Sequence, residues 1–170
     1  MYKSHVLSFL ESGVPAYYHA RPSILKLVDE VQSDFLESIC VSKRDALLKF
    51  NLGPLRLRRD IQMLGILHKV VLGIAPIPLH NLFKRGACDL RKFGIQSDTK
   101  SHNKQLYDPA GTKCPVLLKR SLFGLIFVYN RLPQKVVDAI SVQHFQRKLL
   151  CIAKDQVDTN PNWDSVFHRM

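Results

Sequence analysis

A chain of 170 residues with 46% apolar side chains has room for one domain and enough material to fill its core, which excludes extended disorder as its main state. Lys and Arg number 25 against 14 Asp and Glu, and this net charge of +11 favours polyanionic partners such as nucleic acid or acidic membrane without choosing between them. Cys40, Cys88, Cys114 and Cys151 form no C-x-x-C pair, so a zinc knuckle, ribbon or dithiol redox motif is excluded, and reduced thiols of an intracellular protein are expected.

The apolar run from Val6 to Leu10 is interrupted by Ser8 and is too short for the hydrophobic region of a secretory signal. No window approaches the ~18 apolar residues of a membrane span. The expectation is a water-soluble protein of the nucleus or cytoplasm, neither secreted nor membrane-bound. The basic excess is not uniform. Residues 1–40 carry 3 basic and 5 acidic side chains and residues 136–170 carry 4 of each, whereas residues 41–135 carry 18 basic and 5 acidic, so any polyanion-binding surface should be central in the chain.

A first helical piece, Lys3 to about Ser12, stops at Gly13 and Pro15. Pro22 then opens a helix to about residue 40, in which Ile24, Val28, Val31, Phe35 and Ile39 recur at spacings of four, three, four and four as one apolar face, with Glu30, Asp34 and Glu37 on the solvated side. Ser42 is placed to cap a short helix ending near Phe50, and Asp45 complements its first turn. The longest helix is expected over 54–72, closed by Gly73. Its apolar residues cover roughly two thirds of the wheel and leave a wedge of Arg58, Gln62, Gly65 and Lys69, so it should be packed on several sides at the centre of the fold. On it, Arg56 and Asp60 are four apart and suited to pair, and His68 lies in the apolar arc as a hydrogen-bonded core histidine.

Residues 84–114 are polar and basic, contain Gly86, Gly94, Pro109 and Gly111, and lack a sustained period, which predicts a long loop with brief strands near Leu90 to Ile95. The apolar run Leu122 to Tyr129 fits a buried helix or a buried strand. Pro133 opens a short helix, and Ser141 caps another in which Val142, Phe145, Leu149 and Ile152 repeat. From about residue 156 the tail holds only Trp163 and Phe167 and should fray. The sequence has no Asp-Asp or D-x-D motif, no phosphate-binding glycine loop, no nucleophile elbow and no H-E-x-x-H, so catalysis, metal ions and cofactors are not expected.

Three stretches carry a family resemblance. His5-Val-Leu-Ser-Phe-Leu-Glu11, Pro15-Ala-Tyr-Tyr-His-Ala20 and Val31-Gln32-x-x-Phe35-Leu36 look like the thumb region that follows the polymerase core in LINE-type (non-LTR) retrotransposon reverse transcriptases. Asn51-Leu-Gly-Pro-Leu-x-x-Arg58-Arg59-Asp60 with Met63-Leu64-Gly65-x-Leu67-His68 resembles their post-thumb helix. Val128-Tyr-Asn-Arg-Leu-Pro133, then Ser141-Val-x-x-Phe145-Gln-x-x-Leu149, is similar to the ending near their C-termini, with Tyr129 where Trp is common and Gln146 where Lys is common. The resemblance spans about residues 1–152, in order, and lacks the polymerase fingers and palm with their catalytic Asp-Asp core.

The resemblance implies a non-catalytic, retrotransposon-derived fragment whose thumb-like part touches the backbone of RNA or DNA, and which could also pack on the polymerase part of a parent protein. The expected fold is all-α, an irregular helical domain of about five to seven helices with a long central loop. It is organised as a thumb-like part at 1–83, a basic loop at 84–114, a C-terminal helical part at 115–155 packed on the first, and a frayed tail at 156–170. Helix 54–72 should pack against helices 22–40 and 119–131, with 141–154 as a lid. Sequence-independent contacts are expected from Lys43, Arg44, Arg58, Lys69, Lys119 and Arg120. Tyr17 and Tyr18 suit base stacking or packing between the first helices. The alternatives are a helical packing and protein-interaction module, or a functionless relic, with no nucleic-acid role.

Overall fold

The computed structural model describes residues 2–83, 102–108, 118 and 120–168. Among these the chain is all-α, without a sheet. It divides into two compact units, one comprising Met1–Gln62 and Leu150–Phe167, the other Met63–Leu149 and His168–Met170. The limits of these units fall at residues 62/63 and 149/150. The strands anticipated near Leu90 to Ile95 lie outside the described residues.

The first unit starts with a wide helical turn, Lys3–Leu7, that continues into α1, Ser8–Ser12. A one-turn helix α2, Val14–Tyr17, and α3, Pro22–Ser38, each begin with a proline in the first turn, where its missing N–H costs nothing. Helix α4, Lys43–Phe50, is capped as anticipated, Asp45 N donating to Ser42 Oγ at 3.0 Å, and ends on Asn51 in the left-handed conformation at φ 53°. The first eight residues of α5, Leu55–Leu72, complete this unit together with the end of α9, Val142–Gln156. Leu7, Leu36, Ala46, Leu52 and Leu55 form the core, with Tyr2 stacked on Phe35 at 3.9 Å.

The buried face of α3 is not the anticipated stripe. Val28 and Phe35 pack against the core as anticipated, but the fully buried positions are Gln32 and Leu36, and Ile24, Val31 and Ile39 remain about half exposed. Polar anchors turn the helix: Gln32 Nε2 donates to Gly53 O at 3.1 Å, and Asp29 accepts both terminal nitrogens of Arg59 at 2.6 and 2.9 Å. The tail also departs from the reading. After α9 it makes a short 3-10 turn at Trp163–Ser165, Val157 and Phe167 are buried, and Asp158 pairs with Arg44 at 2.8 Å. Single well-placed contacts hold it, and these leave no periodic signal.

In the second unit the rest of α5 is closed by Gly73 at φ 76°, a conformation that glycine adopts without a Cβ penalty. Helices α6, Ile77–Leu82, α7, Ile126–Tyr129, and α8, Gln134–Val137, follow, and α9 opens. Helix α7 is shorter than the expected 119–131, because residues 121–125 are turns. The centre is His68, fully buried: its Nε2 bonds the Ala139 carbonyl at 2.9 Å, its Nδ1 meets the Tyr129 hydroxyl at 3.0 Å, and its ring stacks on Phe145 at 4.1 Å. It is the core histidine anticipated. Phe145 and Leu149 are themselves fully buried, so the 141–154 helix is part of the core and not a lid.

Gly65, placed by the wheel in a polar wedge, is buried, and a Cβ there would stand 3.2 Å from Val142 Cγ1 and 2.5 Å from Gln146 Nε2. The missing side chain is what lets α9 approach. The described part of the loop, residues 102–108, is anchored, with Tyr107 and Asn103 exposed: Leu106 is fully buried and its backbone is held at both ends by Asn130, which accepts from Leu106 N at 2.9 Å and donates to Leu106 O at 2.7 Å.

Candidate nucleic-acid interface

The six cations singled out in the sequence are not equivalent. Arg44 is exposed, but its Nη2 is 2.8 Å from Asp158 Oδ1 and its Nε donates to the same oxygen at 3.0 Å. Arg58 donates from Nε to Glu11 Oε1 and from Nη1 to the Asn51 carbonyl at 3.3 Å. Arg120 is half-buried and already engaged. Lys119 lies outside the described residues. Lys43, at the start of α4, and Lys69, in the last turn of α5, are exposed and make no ion pair among the described residues. Lys43 and Arg58 belong to the first unit and Lys69 to the second.

Arg58, Arg59 and Asp60 act together as a clamp inside the first unit. Successive helical residues point about 100° apart. Arg58 therefore reaches Glu11 in α1, Arg59 reaches Asp29 in α3, and Asp60 accepts from the Tyr18 hydroxyl at 2.7 Å. Gln62, one residue beyond, donates to the Glu11 carbonyl at 3.0 Å. The anticipated Arg56–Asp60 pair is not found among the described residues. Burial, reinforced by the Asp60 carboxylate, pushes the Tyr18 hydroxyl far above the ordinary tyrosine value, and burial also raises Tyr17, whose hydroxyl donates to Leu10 O at 2.6 Å. Tyr18 is buried as a packing residue, while Tyr17 is half-buried.

Arg56 takes another place. A cavity of about 160 Å³ in the first unit is walled by α3, α4, the 52–56 segment and the tail, and Gln32, Ser33, Lys43, Arg56 and Asp164 give it its polar groups. Lys43, Arg56 and Asp164 have no ion-pair partner among the described residues; Asp29, also on the wall, is neutralised by Arg59. Gln32 is 3% exposed, and its Oε1 has no hydrogen-bond partner. Sequence reasoning placed Lys43 here but missed the rest. Arg56 was assigned to Asp60, Gln32 stood in a motif read for its apolar neighbours, and Asp164 sits in a tail with no repeat to mark it as folded.

Among the described residues no group of three His, Cys, Asp or Glu is placed to hold a metal ion, and no helix is long and apolar enough to cross a membrane. No protein-family model, curated protein or solved structure matches the chain.

Proposed function

We propose that this chain is a non-catalytic remnant of the thumb and post-polymerase part of a LINE-type reverse transcriptase, and that it binds RNA or DNA backbones without reading sequence. The origin is supported by three motifs in family order. Binding is supported by one observation above the others: within a chain of net charge +11, Lys43 and Lys69 stand exposed with no carboxylate committed to them among the described residues. Phosphate neutralisation releases counterions, so affinity should fall with salt at a slope of roughly 0.7–0.9 per contact. Fluorescence anisotropy with a labelled 20-nucleotide RNA across a salt series tests this. A negative slope that shrinks by about 1.5 in the Lys43→Glu/Lys69→Glu double variant is expected; a flat salt dependence, or an unchanged slope in the variant, refutes it.

A second reading, a helical module that packs against another protein such as a parent polymerase, has its own support. On α3, Ile24, Leu27 and Val31 are 51%, 59% and 43% exposed at positions i, i+3 and i+7, a stripe suited to helix packing. Sedimentation from low to high concentration separates the two: concentration-dependent association abolished by Leu27→Glu, without salt-sensitive RNA binding, selects the packing role.

A further inference from the structure

The cavity on the first unit carries positive charge that the fold leaves unmatched. Lys43, Arg56 and Asp164 on its wall form no ion pair among the described residues, and Asp29 is neutralised by Arg59, so two cations stand against one carboxylate. The cations are also in unfavourable places. Lys43 is the first residue of α4 and Arg56 the second of α5, and the positive end of the helix macrodipole disfavours a cation in the first turn. An anion held by both offsets both costs. At about 160 Å³ the cavity is far above the ~10–15 Å³ that a single water needs and below the ~300 Å³ at which pockets for drug-sized ligands begin, so it takes one compact group and not a nucleoside. Lys43 is exposed and Arg56 and Asp164 are half-buried, which leaves that group able to stay attached to something outside.

Asp164 sets the remaining condition. It lines the same cavity, so a fully ionised anion meets its charge, whereas an anion that keeps a proton can donate it to the carboxylate. Sulfate and the interior phosphodiesters of a strand bring no such proton; a phosphate group ending a chain, whose second pKa is near 6, does. We infer that this cavity is the seat of one phosphate group that retains a proton, its ionised oxygens held by Lys43 and Arg56 and its P–OH donating to Asp164. Inorganic phosphate and the terminal phosphate of a nucleic-acid strand share that chemistry. The site goes beyond the backbone-binding reading, which asks only for phosphodiester contacts by exposed lysines, although Lys43 serves both.

Isothermal titration calorimetry of the full chain with inorganic phosphate and with sulfate, at pH 6.0 and fixed ionic strength, tests it. The wild type should bind phosphate about tenfold more tightly than sulfate. Asp164→Asn should remove that difference by strengthening sulfate, and Lys43→Gln/Arg56→Gln should weaken both anions about tenfold or more. Thermal melts of each variant show whether it is folded, and Lys43→Gln alone, a change at an exposed position, repeats the measurement should the double variant melt early. A short 5′-phosphorylated RNA set against its 5′-hydroxyl counterpart identifies the source. Tighter binding of the phosphorylated strand, lost in the double variant, assigns the seat to a strand end; no difference between the strands, with inorganic phosphate bound, assigns it to free phosphate. No binding of phosphate in either form, equal affinity for phosphate and sulfate in the wild type, or phosphate affinity unchanged in the folded cation variants overturns the inference. Salt-sensitive binding of the 5′-hydroxyl strand in that case leaves the backbone reading standing.

Discussion

Lowering the pH from 7.5 to 5.5 should destabilise the fold through two rings, His68 and His102. Both are buried, and burial holds each below the ordinary imidazole value; the carbonyl of Ala139 for His68 and of Tyr129 for His102 partly opposes this, and the nearby Lys104 charge lowers both further. Geometry gives the same answer. His102 Nε2 donates to Tyr129 O at 3.0 Å, which leaves Nδ1 to accept from Lys104 N at 3.1 Å, so a proton on Nδ1 would set donor against donor. At His68 the acceptor nitrogen faces the Tyr129 hydroxyl. Because the folded values lie below the unfolded value of about 6.5, the stabilisation is complete above pH 6.5 and is lost as pH falls below it. Each ring that stays neutral in the fold while the unfolded chain protonates costs up to about 1.35 kcal/mol over this interval, about 2.7 kcal/mol for the pair. Urea unfolding at pH 7.5, 6.5 and 5.5 measures the loss, and His68→Gln/His102→Gln should flatten it. Stability that is unchanged down to pH 5.5, or a slope that persists in the double variant, refutes the reasoning.

Arg59→Leu removes a bidentate partner from Asp29, which keeps a third of its side chain in water; the cost should be about 2 kcal/mol, below the ~3–5 of a fully buried broken pair, and Arg59→Leu/Asp29→Leu should recover part of it in a double-mutant cycle read by chemical unfolding. Gly65→Ala should change stability by less than about 1 kcal/mol, since the helix gain offsets the crowding of Val142 and the Gln146 amide can turn away, whereas Gly65→Leu should lose about 2–3 kcal/mol in the same assay.

Periodicity and end signals carried most of the helices. The Pro22 start, the Ser42 cap and the Gly73 stop stand where local chemistry puts them, because each depends on residues within one turn of itself. The faces were less legible. The apolar spacing of α3 points to Ile24 and Val31, yet the contacts of Gln32 with Gly53 and of Asp29 with Arg59, 21 and 30 positions away, decide which side is buried. The same limit hid the cavity: Lys43 is conspicuous as a cation, but its neighbours Arg56 and Asp164 come from segments brought together only by tertiary packing. A charge count cannot tell Lys43 from Arg44, although among the described residues one makes no ion pair and the other spends its charge on Asp158, 114 positions away.

The Arg58–Arg59–Asp60 turn makes spacing more restrictive than composition. Three neighbours in sequence hold three distant segments, at Glu11, Asp29 and Tyr18, in three directions set by the helical twist. Substituting any one of them releases one segment and leaves the others engaged. Deleting or inserting a single residue between Gly53 and Leu57 would swing all three by about 100° together, and every segment would lose its anchor at once. This stretch should therefore drift readily in side-chain identity at its solvent-facing positions, while tolerating no change in length.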